Sequence, residues 1–184
     1  MTEYQAQGKG AGSTFLGAVL PALAIVILAR TFLVGLYRVP TTSMAGTIQV
    51  GDCILGDRLA YRMGIPEPGD IVTFESPDEP GVTYVKRVVA TEGQVVDIRD
   101  GHVHVDGLEL CEPYAQGPTL PPGQDDGAAG VAYPHVVAEG CVWVMGDNRT
   151  RSRDSRWFGD VPVSSVSSRV VCTYWPPERI GPVP

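Results

Sequence analysis

Ser43 and Lys86 are the residues on which chemistry can be built. Ser43 closes a hydroxyl cluster, Thr41-Thr42-Ser43, set between Pro40 and the apolar residues Met44 to Val50. Pro40 fixes its own φ and biases Val39 toward an extended conformation, so the hydroxyls arrive on an extended or turning backbone where a serine can be aimed. The plain alternative is a polar loop leading into a first strand. Of the 14 basic residues twelve are arginine and two, Lys9 and Lys86, are lysine. A buried lysine can lose its proton and an arginine cannot, so a position that needs a neutral amine has to be lysine. Ser-x-x-Lys is absent, because Met44, Ala45 and Gly46 follow Ser43. His135 stands in a loop-rich stretch with no matching Asp motif, which leaves a serine and a distant lysine.

A second dense constellation follows the apolar run Val142 to Met145. Asp147, Asn148, Arg149, Ser152, Asp154, Ser155 and Arg156 crowd into ten residues. Read blandly this is a solvated turn of alternating charge. Such density directly after a buried strand more often makes a fixed hydrogen-bonded scaffold. No metal or cofactor is expected. His102 and His104 share a strand face without a third ligand, Asp125-Asp126 lacks calcium-loop spacing, and Gly8-Lys9-Gly10 has no strand leading into it. Among the four cysteines there is no C-x-x-C pair. Cys53 and Cys172 sit in apolar runs as buried thiols, and Cys111 and Cys141 flank a loop-rich segment that a disulfide can close in an oxidising compartment.

The elements that must position these groups follow from hydropathy and turn signals. Residues 1–13 read as a flexible tail. The apolar stretch from Phe15 to Tyr37, interrupted by Arg30, reads as one transmembrane anchor over 14–36, and no small-x-small site follows it where a leader would be cut. Beyond it, short β-like runs alternate with Gly/Pro/Asp punctuation: Cys53-Ile54-Leu55, Ile71 to Phe74 and Val82 to Val89. Gln94 to Leu110 reads as a three-stranded meander turning at Asp100-Gly101 and Asp106-Gly107. Residues 112–135 are a Gly/Pro-rich loop. The expectation is an all-β body.

Outside residues 1–38 the chain holds 11 basic and 20 acidic side chains, a formal charge of −9. A body this acidic is a poor phosphate binder, so nucleic acid is not an expected partner.

Pro40-Thr41-Thr42-Ser43-Met44, Gly51-Asp52, Gly69-Asp70 to Phe74, Tyr84 to Val89 and Gly146-Asp147-Asn148-Arg149-x-x-Ser152-x-Asp154-Ser155-Arg156-x-x-Gly159 fall in the order and approximate spacing of bacterial type I signal peptidases, which the chain resembles. The resemblance implies a membrane-anchored Ser/Lys serine endopeptidase on a β core (37–96 and 139–184) carrying a small β insertion (97–138). By position Ser43 matches the nucleophile, Lys86 the general base, Ser152 the hydroxyl orienting the amine, and Thr41 an oxyanion donor beside the Ser43 N–H. Arg87, Asp147, Arg149, Asp154 and Arg156 match an ion-pair scaffold, with Arg87 paired to Asp147. Tyr37, Val39, Met44, Ile48, Tyr84 and Val85 match the walls of shallow pockets for small side chains at −1 and −3 of a signal peptide. The implied partners are exported preproteins and the lipid bilayer, the oligomeric state stays open, and the implied location is a single-pass membrane protein with its body on the extracytoplasmic side. Gly46 departs from the family's usual proline, and Ala90-Thr91-Glu92-Gly93 from its usual turn. The rivals are a maturation peptidase of narrow range on the same fold and a catalytically silent anchored binding module; self-cleaving Ser/Lys repressors are disfavoured, as no DNA-binding helix pair is present.

Overall fold

The computed structural model describes residues 11–123 and 130–183, without the side chains at 11–16, 29 and 63. Residues 1–10 of the expected tail and the Asp125-Asp126 pair lie outside them. The chain opens with helix α1 (Ala11–Phe32). The anchor was expected to run to residue 36, but strand β1 (Val34–Arg38) pairs in full with β2 (Cys53–Asp57), from Val34 opposite Asp57 to Arg38 opposite Cys53. Five ladder pairs take the place of another helical turn. Among the described residues no helix is long and apolar enough to cross a membrane.

After the one-turn α2 (Ala60–Met63) come β3 (Ile71–Glu75), β4 (Thr83–Thr91), β5 (Val95–Arg99), β6 (His102–Val105), β7 (Leu108–Glu109), β8 (His135–Val136) and β9 (Cys141–Met145). The one-turn α3 (Ser155–Phe158), β10 (Val161–Pro162), β11 (Val166–Trp175) and β12 (Gly181–Pro182) complete the chain. The larger sheet runs β1-β2-β11-β3-β4-β9-β10, with β12 on β11, and the smaller runs β7-β6-β5-β8. All pairings between these strands are antiparallel. The small sheet is the expected meander closed by β8. Both Asp-Gly turns have positive φ at both residues, the geometry a two-residue hairpin loop needs.

Strand β9 and the second half of β4, Val88 to Ala90, carry the core on both faces, which is why these stretches run apolar without alternating. Val72, Phe74, Val88, Val142, Val144 and Val161 fill one side. Val89, Ala90, Trp143 and Met145 fill the other, against Val96, Val103 and Val105 of the small sheet. A third cluster, Val39, Met44, Ile48, Ile54, Ile71 and Val170, anchors the loop after β1.

The Cys111–Cys141 bridge that the sequence allows is not formed: all four cysteines are free. Cys111 is exposed beyond β7, while Cys141 opens β9 and packs against the Trp143 cluster, so the two thiols belong to different surfaces.

Candidate active site

The loop from Val39 to Asp52 is a closed unit. At its neck the Val39 N–H donates to Asp52 O (2.9 Å) and the Gly51 N–H to Val39 O (2.8 Å). At its middle Met44 and Ile48, 1% and 0% exposed, hold it to the core. Gly46 has φ +108°, a conformation closed to the proline usual in the family. From the other side Asn148 reaches across: its backbone N–H donates to Ser43 O (3.0 Å) and its side-chain amide to Thr42 O (3.1 Å). The hydroxyl of Ser43 is thus fixed by residues before and after it in space.

Lys86 comes from the middle of β4, opposite Val72 of β3. Its Nζ lies 2.9 Å from Ser43 Oγ and donates to Val85 O at 3.0 Å. It sits 5.0 Å from the centroid of the Tyr84 ring. Burial pulls the amine down to a pKa of about 8, because the charged form loses its hydration; Asp154 and Asp147 push the other way and Arg156 adds to the lowering. Thr41 Oγ1 is 3.3 Å from Ser43 Oγ. Among the described residues the Ser43 N–H has no backbone acceptor, which leaves it available to an oxyanion.

Behind this pair stands a charged scaffold. Arg87, the next residue on β4, forks onto Asp147 through Nε (3.0 Å) and Nη2 (2.9 Å), and Thr47 of the serine loop donates to the same carboxylate. Asp154 caps α3, accepts from the Gly146 N–H (3.0 Å) and pairs with Arg156. Arg149 forks onto Glu112 at 2.7 and 2.6 Å and donates to Thr119 and Gly146 O. Glu112 went unread in the sequence. It stands 37 residues from its partner, and nothing local marks it apart from other exposed-looking acids.

Ser152 does not meet the amine. Its hydroxyl is buried and has no hydrogen-bond partner among the described residues. It rests against Gly146, where a methyl group would overlap Ser152 Oγ and come within 2.5 Å of Ser43 O. Gly146 therefore lets the end of β9, Ser152 and the serine loop converge.

Ser43 and Lys86 open on a groove of about 510 Å³ whose walls include Tyr37, Val39, Met44, Tyr84 and Val85. Ile48 does not line it. Fully buried with Ile54 and Ile71, it backs the wall instead of forming it. The groove also takes in Leu36, Val82, Thr83, Arg38, Arg151 and Arg153, which were not singled out from the sequence.

A serine hydroxyl bonded to a buried, readily deprotonated amine at a groove in an antiparallel β body is the equipment of a Ser/Lys hydrolase. A family model described as signal peptidase, peptidase S26, matches residues 13–175, and the chain belongs to that family. It is 34% identical over 217 aligned positions to a signal peptidase I of Mycobacterium tuberculosis, covering 90% of this chain and 74% of the relative. It is 32% identical to the probable thylakoidal processing peptidase 2, chloroplastic, of Arabidopsis thaliana, over 90% of this chain and 45% of that one. The chain thus spans about half the length of the Arabidopsis relatives it matches. A solved signal peptidase I of Enterococcus faecalis aligns with a TM-score of 0.45 at 28% identity, over 58% of this chain and 97% of that chain.

Proposed function

We propose that this protein is a membrane-anchored serine endopeptidase that removes signal peptides from exported preproteins after a small-x-small site. The observation that carries the reading is the 2.9 Å contact between Ser43 Oγ and a Lys86 amine that burial brings to a pKa of about 8. With the amine neutral, Ser43 O–H donates to Nζ and Oγ attacks the scissile carbonyl carbon. Thr41 Oγ1 and the Ser43 N–H receive the developing oxyanion, each such donor contributing on the order of 3 kcal/mol. The ammonium passes its proton to the leaving nitrogen as the C–N bond breaks. Lys86, neutral again, takes a proton from water as the hydroxyl oxygen adds to the acyl carbon; the bond from that carbon to Ser43 Oγ then breaks and the ammonium returns the proton to Oγ. Ser152 matches by motif position the hydroxyl that orients the amine, and its Oγ, buried and without a partner among the described residues, is free to accept from Lys86 after the amine turns from Ser43.

The substrate lies extended in the groove, its alternate side chains against the walls that hold Tyr37, Val39, Met44, Tyr84 and Val85. Small side chains are the occupants this reading assigns to the wall formed with Met44 and Val39, both of which are packed into the core behind the groove. The membrane anchor is α1, and the exposure of Leu20, Leu23, Ile25, Val26, Ile27 and Leu28 supports this. The body then faces the side where exported chains emerge. The test is cleavage of a preprotein with an Ala-x-Ala site by the detergent-solubilised protein, with the new N-terminus read by mass spectrometry. Cutting after the site by the wild type and none by Ser43→Ala is expected; an inert wild type, or an active Ser43→Ala, overturns the reading.

A further inference from the structure

The groove beside Ser43 and Lys86 is lined by three further basic side chains, Arg38, Arg151 and Arg153, and by no carboxylate. The chain as a whole carries a net charge of −7, so this concentration of one sign runs against its composition. Arg38 ends β1, and Arg151 and Arg153 flank Ser152 in the segment after β9. Among the described residues neither Arg38 nor Arg151 has an ion-pair partner. Arg153 does: its Nε lies 2.7 Å from Asp78 Oδ2, and its guanidinium is 5.5 Å from the centroid of the Trp157 ring. That pair is solvent-exposed, 48% and 30%, so an incoming carboxylate can compete for the arginine at little cost.

The electrostatics of the site sharpen the asymmetry. The acids beside the dyad, Asp147 and Asp154, are both buried and already committed to Arg87 and Arg156, while Asp78 and Glu79 stand at the rim, engaged by Arg153 and by the Tyr84 hydroxyl. The buried pair presents no free negative charge to a bound peptide, whereas Arg38 and Arg151 are exposed and present positive charge directly. A guanidinium fork matches a carboxylate in two hydrogen bonds, a fit that a neutral amide side chain does not reproduce.

We infer that Arg38, Arg151 and Arg153 determine substrate specificity, favouring peptides with an aspartate or glutamate close to the scissile bond and disfavouring lysine or arginine there. The inference rests on the endopeptidase reading and adds to it a charge preference that the apolar pockets cannot supply. Arg38 and Arg151 gain a partner on substrate binding, and a cationic peptide meets three guanidinium groups of like charge. The same field draws acidic segments toward the groove from solution, an effect that salt removes.

The experiment uses the full chain in detergent with a set of peptides carrying one small-x-small site and Asp, Asn or Lys at each position flanking the bond in turn. At the best position, kcat/KM is expected to be about fivefold higher for Asp than for Asn and lower again for Lys, with the ratio approaching one at about 0.5 M salt. In the double variant Arg151→Glu/Arg153→Glu the order inverts, and Lys is preferred over Asp. Binding of the same peptides to Ser43→Ala, followed by fluorescence anisotropy, separates recognition from turnover. Equal kcat/KM for Asp and Asn at every position, or an order that the double variant leaves unchanged, overturns the inference and leaves the peptidase reading standing. Tighter binding of the Asp peptide with no cleavage of any peptide supports the cationic groove and overturns the peptidase reading.

Discussion

Ser43 and Lys86 were legible because lysine is so scarce in this chain: with Arg filling nearly every other basic position, a lone lysine inside a β run asks for an amine that can be neutral. Neutrality has a thermodynamic signature. Holding the amine at a pKa of about 8, against 10.5 for a free lysine, costs the fold about 3 kcal/mol below pH 8. Between pH 8 and 10.5 the unfolded chain still binds the proton that the folded chain has released, so stability rises with pH through that window. Lys86→Met removes this dependence. It is expected to be more stable than wild type at pH 7, by roughly 1 to 3 kcal/mol, with the gain fading toward pH 10.5; chemical denaturation at the two ends of the window measures it, and a variant less stable at pH 7 contradicts the account. Gly146 tests the other partner. A methyl there meets the backbone carbonyl of Ser43, which cannot swing aside as a side chain could. Gly146→Ala is expected to lower kcat by on the order of 100-fold through displacement of Ser43, while the thermal midpoint falls by only a few degrees. Unchanged kcat in a folded Gly146→Ala protein would count against the convergence described here. The unpartnered Ser152 hydroxyl is what the sequence could not convey, since motif position specifies neighbourhood and not hydrogen-bond direction.

Elements enter through the way the insertion props up the site. Residues 112–119 bridge to the scaffold loop: the Gln116 N–H donates to Asp147 O (2.7 Å), the Arg149 N–H donates to Gln116 O (3.0 Å), and Glu112 takes the Arg149 fork with both side chains nearly dry, at 8% and 1% exposed. The insertion was read as a small β lobe with a Gly/Pro-rich loop, and no link from that loop to the site was drawn. Instead that loop supplies the counter-charge for a scaffold arginine. Glu112→Ala leaves the Arg149 guanidinium buried without its carboxylate and is expected to cost about 3 to 5 kcal/mol in denaturant unfolding, far more than an exposed pair would. A loss under about 1 kcal/mol would place Glu112 outside the scaffold. The serine loop carries its own conformational demand. Gly46→Pro restores the family's common residue, yet φ +108° is unreachable for proline, so the substitution is expected to destabilise by about 1 to 3 kcal/mol and to slow cleavage. The short runs Ile71 to Phe74 and Val82 to Val89 and the Asp-Gly hairpins were readable because turn chemistry is local. The insertion of β11 between β2 and β3 was not, because that order depends on pairing residues about a hundred positions apart.

At the scale of the molecule, α1 stands apart from the body. No described side chain of α1 belongs to any of the three core clusters, and its ties to the body include Arg58 Nη1 donating to Thr31 O (2.9 Å) and the Arg62 guanidinium over the Phe32 ring. A variant lacking residues 1–32 is therefore expected to fold and to cut soluble peptides, while losing its association with vesicles in a flotation assay; loss of folding would show that the helix is part of the core. The whole assembly, closed serine loop, buried amine and ion-pair scaffold, exists on this account to keep one lysine neutral beside one serine. The most direct test is the pH dependence of kcat/KM for a small-x-small peptide, measured for wild type and Lys86→Arg. The account predicts a tenfold rise per pH unit that levels off near pH 8 for wild type, and no activity for a folded Lys86→Arg protein at any pH. A flat profile, a rise that levels off near the ordinary histidine range, or cleavage by Lys86→Arg would contradict it.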